Sequence, residues 1–167
     1  MGGEAMKYVD FKQFTDANGA MPIYLFEGEE GYFREKGEAL LKARFLQEPT
    51  LDYVSFDGSA LKGEKMKALS DAARCFPFVS EKRVVRVTEF YPSEKDFDLY
   101  LKDFFDDPPR DGILMIVNAA KPKTTANQAA LSKKATLRTL IAGARTKKLS
   151  KSGFTLPASA RVCTRMG

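Results

Sequence analysis

Pro22-Ile23-Tyr24-Leu25-Phe26, running directly into Glu27-Gly28, is a stretch with no alternation of apolar and polar residues. A strand with one wet face alternates, whereas a continuous apolar run marks a strand buried on both faces, as in a parallel sheet covered by helices. Downstream the period changes. Phe33, Gly37, Leu41 and Phe45 recur every fourth residue with Leu40 beside them, which predicts a helix from about Glu29 to Gln47 with Pro49 as its stop.

The same alternation continues to about residue 120. Asp52 to Phe56 reads as a second strand closed by the turn pair Asp57-Gly58. A helix entering from Leu61 carries Met66, Leu69 and Ala73 on its inner face. Arg83 to Thr88 is a Val-rich third strand. Pro92 and Ser93 open a further helix, with Asp96 three positions after Ser93 as in a capping box, and Phe97, Leu101, Phe104 and Phe105 form its apolar face. Pro108-Pro109 end it, and Ile113-Leu114-Met115-Ile116-Val117-Asn118 is the most strongly apolar run of the chain. Strands and helices alternating in this way predict an α/β fold with a parallel sheet, a nucleotide-binding type of architecture.

That architecture places a phosphate loop after its first buried strand, with backbone N–H groups around the phosphates, a Lys on the outer phosphates and a Ser or Thr on Mg²⁺. Here the turn reads Phe26-Glu27-Gly28-Glu29-Glu30-Gly31. It lacks Gly-Lys-Ser/Thr, and three carboxylates would repel a triphosphate. The expectation is a degenerate nucleotide site with no cofactor. Glu29 and Glu30 fit the first turn of the following helix, where negative charge complements the helix dipole. Asp106-Asp107 read as solvated residues at a helix end.

Histidine is absent and the only cysteines are Cys75 and Cys163. Imidazole bases, Ser-His-Asp relays and cysteine metal clusters are thereby excluded, and neither catalytic nor metal-binding residues are expected. No apolar run approaches the ~20 residues that span a bilayer, and the N-terminus lacks a signal-peptide pattern, so the chain reads as cytoplasmic without membrane contact.

The net charge of +5 conceals an asymmetry: residues 1–120 hold 16 Lys and Arg with all 22 Asp and Glu, while residues 121–167 hold 11 Lys and Arg and no acid. Phe154 is the one aromatic of that second segment. Two readings compete. One is a basic arm that neutralises nucleic-acid phosphates. The other, which we favour, is a tail out of its natural frame from about Ala126-Asn127. Back-translated from Thr136 and read one base earlier, the segment opens Thr-Tyr-Val-Asp-Cys and regains acids, aromatics and a helical rhythm. The expected organisation is thus a domain over residues 1–126 and a poorly ordered basic tail over residues 127–167.

Phe76-Pro77-Phe78-Val79 stands between the third helix pattern and the Val-rich strand. Pro77 turns Phe76 away from helical dihedrals and sets Phe78 at a tip. Spacing alone favours folding both rings into the core, with exposure as the alternative.

Met6-Lys7-Tyr8-Val9-Asp10-Phe11, Pro22 to Glu30, Phe56-Asp57-Gly58, Pro77 to Val85 and Ile113 to Asn118 together resemble the N-terminal domain of the bacterial DNA polymerase III delta subunit. The resemblance runs from about Met6 to about Ala126. It implies a clamp-loader subunit with an AAA+ type, P-loop-NTPase-like fold that has lost ATP binding and has no catalysis of its own. Implied partners are the sliding clamp (beta subunit) and the loader ATPase subunits, with DNA engaged only indirectly. The implied action is opening of the clamp ring by an apolar plug on Pro77 and Phe78, flanked by Phe76 and Val79, which reverses the expectation for Phe78 to an exposed ring. Nothing after Ala126 matches the family's lid or collar, so the resemblance implies a truncated delta domain.

Overall fold

The computed structural model describes residues 5–6, 8–27, 31–119, 126–127, 131 and 139–143. Six strands are described: β1 (Ala5–Met6), β2 (Ile23–Glu27), β3 (Tyr53–Asp57), β4 (Arg83–Thr88), β5 (Gly112–Asn118) and β6 (Thr139–Gly143). They form one sheet in the order β1-β6-β2-β5-β4-β3, and every pairing among them is parallel. The runs read as doubly buried strands lie at its centre, because only central strands have helices on both sides. Every residue of β2 and β5 is buried.

Side-chain alternation divides the core into two layers. Ile23, Leu25, Val85, Val87, Leu114 and Ile116 face α4 (Lys67–Arg74), α5 (Glu94–Tyr100) and α6 (Lys102–Asp106), where they meet Leu69, Ala73, Phe97, Leu101, Phe104 and Phe105. Tyr24, Phe26, Val84, Ile113, Met115 and Val117 face α1 (Tyr8–Asn18) and α2 (Gly31–Phe45). Phe11 of α1 sets its ring edge-on to Tyr24 and Phe26, at centroid separations of 5.8 and 5.6 Å.

Several local expectations are corrected. Pro49 does not stop a helix. α2 has already ended at Phe45, and Pro49 begins a one-turn helix, α3 (Pro49–Asp52), where its missing N–H costs nothing. Asp52 therefore closes α3 instead of opening β3. The helix read from Leu61 is a 3₁₀ turn at Gly63–Met66 followed by α4. The helix opened by Ser93, whose Oγ accepts from Asp96 N at 3.2 Å as the capping pattern requires, breaks at Leu101 (φ −122°) into α5 and α6. Thr139–Gly143, inside the segment read as a basic tail, forms β6 between β1 and β2, where it satisfies the outer edge of β2. The other tail residues apart from 127 and 131 lie outside the described residues.

One polar pair lies within the α2 layer. Arg86 shares the face of Val84 and projects toward α2, where Nε donates to Glu38 Oε2 at 2.7 Å and Nη2 to Oε1 at 3.3 Å. Burial acts to lower the Arg86 pKa, but the Glu38 carboxylate raises it and keeps the guanidinium charged. Replacing Glu38 with Gln is expected to cost about 1.5–3 kcal/mol, toward the lower end because the Arg86 side chain retains 26% exposure. Urea unfolding checks this; an unchanged midpoint would show that the pair is solvated.

Among the described residues no helix is long and apolar enough to cross a membrane.

Candidate protein-interaction site

α4 ends at Arg74, and Cys75 is already extended (φ −66°, ψ 138°), so the chain leaves the helix ahead of Pro77. Residues 75–82 then form the loop into β4. Three apolar side chains of this loop point into solvent: Phe76 is 79% exposed, Phe78 76% and Val79 54%, with Pro77 half-buried. The two rings do not enter the core, contrary to the expectation from spacing.

The reason lies in the backbone. Asp52, fully buried at the end of α3, accepts three successive amides of the loop: Phe78 N at 2.5 Å, Val79 N at 2.9 Å and Ser80 N at 2.6 Å. Ser80, also buried, accepts Gln47 N at 2.9 Å and Glu48 N at 3.3 Å through Oγ, tying the loop to the α2–α3 connection. Arg83 donates through Nε to Ala72 O of α4 at 3.0 Å and through Nη1 to Leu51 O of α3 at 3.4 Å. With the polar backbone turned inward at residues 78–80, the side chains of Phe78 and Val79 are left outside. Leu51, beside Asp52 in sequence, is exposed as well.

No local signal in the sequence marked Asp52, because its partners lie 26 to 28 residues away. Burial pushes its carboxyl up, but the three loop amides, with Ser80, outweigh burial and hold it well below the usual carboxylate range. A depressed folded-state pKa means that the ion contributes stability fully above the unfolded carboxyl's pKa of ~4, lost as pH falls below that value. The melting temperature of the wild-type chain should therefore converge on that of Asp52→Asn as pH is lowered from about 5 toward 3. A gap that stays constant over that range would show that the ion does not supply it.

The loop lies at the amino ends of the strands. The strand order changes direction between β2 and β5, and in such sheets ligands bind at the carboxyl ends there. At that end Glu27 is buried and lies in register with Asn118, whose side chain bonds Phe90 N at 2.9 Å and Phe90 O at 3.1 Å. Gly28, Glu29 and Glu30, the turn read as a degenerate phosphate loop, lie outside the described residues. A cleft of about 450 Å³ lined by Leu61, Lys62, Phe90 and Tyr91 follows β3 and β4. Among the described residues no group of three or more Cys, Asp or Glu could hold a metal ion.

The fold is the parallel α/β arrangement of clamp-loader, AAA+-like proteins. Two of the solved structures that match illustrate the likeness. The Bacillus subtilis DNA clamp loader delta protein superposes with a TM-score of 0.63 at 17% identity, over 82% of this chain and 42% of that one. A DNA polymerase III gamma subunit-related protein from Thermotoga maritima gives 0.57 at 14% identity, over 84% and 46%. The chain thus spans less than half the length of either. No family model and no curated protein matches the sequence.

Proposed function

We propose that this chain is the clamp-engaging domain of a bacterial DNA polymerase III clamp-loader delta subunit, and that Phe78 with Pro77, flanked by Phe76 and Val79, is the plug that enters an apolar pocket on the sliding clamp. The observation that carries this reading is the pair of solvent-facing phenylalanines on a loop fixed from behind by a buried carboxylate. Folding ordinarily hides such rings, and an exposed apolar group on a fixed backbone fits a partner.

The action follows from physical binding alone. A phenylalanine moved from water into a pocket contributes about 1.5–3 kcal/mol, enough for a hot spot of a modest interface. The clamp ring opens if the surface bound by the loop is better formed in the open ring, since a ligand shifts an equilibrium by its differential affinity. Covalent catalysis is not required of the chain, which acts within a polymerase assembly beside the loader ATPase subunits. Titration calorimetry of the full chain against a purified bacterial sliding clamp tests the reading: saturable binding supports it, and its absence counts against it.

A further inference from the structure

We propose that Asp52 is the positioning residue of this site, holding the loop in the one backbone conformation that presents Phe78 to a partner. The inference rests on the reading of the loop as a clamp-binding element.

A buried carboxylate is costly unless it is compensated. Among the described residues no Lys or Arg forms an ion pair with Asp52. Its oxygens are instead taken by the amides of Phe78, Val79 and Ser80. Its compensation therefore exists only while those three N–H groups, with the Ser80 side chain, converge on it, which is also the arrangement that leaves the phenylalanine ring outside. Collapse of Phe78 toward the core would turn the amides away and strand the charge. Ser80 Oγ adds a second tie to residues 47 and 48, so the loop is fixed both to the end of α3 and to the α2–α3 connection. A loop ordered in advance does not lose its freedom on docking.

An asparagine at position 52 has one acceptor oxygen where the carboxylate has two, and its NH₂ faces N–H donors. The binding-competent fraction of the loop then falls, and apparent affinity falls with it. The expected result for Asp52→Asn is a dissociation constant for the bacterial clamp about tenfold higher, carried by a slower association rate, with faster amide hydrogen exchange at residues 78–80. Phe78→Ala acts instead on the dissociation rate, since it removes contact without loosening the loop. Glu38→Gln, a substitution in α2, should alter neither rate.

Surface plasmon resonance of the full-length variants, with hydrogen exchange of each, makes the test. Asp52→Asn binding within twofold of wild type, while Phe78→Ala is weakened, overturns the positioning role and leaves the clamp reading standing. A wild-type chain that does not bind, or a Phe78→Ala variant that binds as well as wild type, overturns both. Should Asp52→Asn fail to fold, exchange in the free wild-type chain decides. Amides at 78–80 as slow as those of β4 support the proposal, and rates of an open loop overturn it.

Discussion

Phe78→Ala should bind a bacterial sliding clamp more than tenfold more weakly than the wild-type chain, and as much as about a hundredfold, while melting at the same temperature. The magnitude is that of one phenylalanine ring returned to water from a pocket, 1.5–3 kcal/mol, at about 1.4 kcal/mol for each factor of ten. The unchanged stability follows from exposure: the ring is 76% exposed in the free chain, and its own amide is held by Asp52 whatever side chain it carries. Surface substitutions of this kind usually stay within about 0.5 kcal/mol. Phe76→Ala should cost less, because Phe76 flanks the tip and none of the Asp52 bonds reaches its amide. Calorimetric affinities of the two variants, taken with their melting curves, check the assignment. Equal affinity for wild type and Phe78→Ala would remove the plug.

Legibility of the fold followed the strength of each local signal. β2 and β5 were plain because five and seven consecutive buried residues admit no other placement than the centre of a parallel sheet. α2 was plain because its stripe, from Phe33 to Phe45, runs over roughly three turns. α1 carries no comparable stripe even though Phe11 and Phe14 anchor it, since only three positions separate them. Thr139–Gly143 was hidden by composition: the charge of the surrounding segment dominated a short apolar run whose partners, β1 and β2, are remote in sequence. The site divides in the same way. Pro77 marked a turn, but spacing treats apolar residues as core and assigned the rings to the interior. What reverses that outcome is a polar residue, Asp52, which draws the backbone inward over a sequence distance that no periodicity can register. The scaffold is thus written in apolar pattern and the site in long-range hydrogen bonds.

Gly112→Ala should have the reverse consequence, a large loss of stability with the residues of the proposed clamp contact untouched. Gly112 opens β5 opposite Arg83 of β4, and a Cβ placed on it would lie 2.3 Å from Ala73 O and 3.0 Å from Pro109 Cγ. Ordinary contact begins at 3.4 Å, so the end of α4 must retreat by about 1 Å to admit one methyl group. The obstacle is a backbone carbonyl, which cannot rotate away as a side-chain tip can. Ala73 also lies in the packed layer with Leu69, Phe104 and Phe105, so its movement opens space among neighbours while relieving the clash. Overpacking at a site held on both sides should reach about 3 kcal/mol, or a melting temperature lower by roughly 6–12 °C. α4 runs directly into the Phe76–Phe78 loop, and Arg83 bonds Ala72 O of the same turn, so the displacement begins beneath the site. Asp52 reaches the loop from α3, outside that turn, and should keep the three amides in place. At temperatures where the variant is folded, clamp affinity should therefore fall less than it does for Phe78→Ala. A Gly112→Ala chain that melts with the wild type would mean that α4 does not rest on the start of β5; one that keeps its stability and loses clamp binding would mean that the loop is positioned from α4 and not from Asp52.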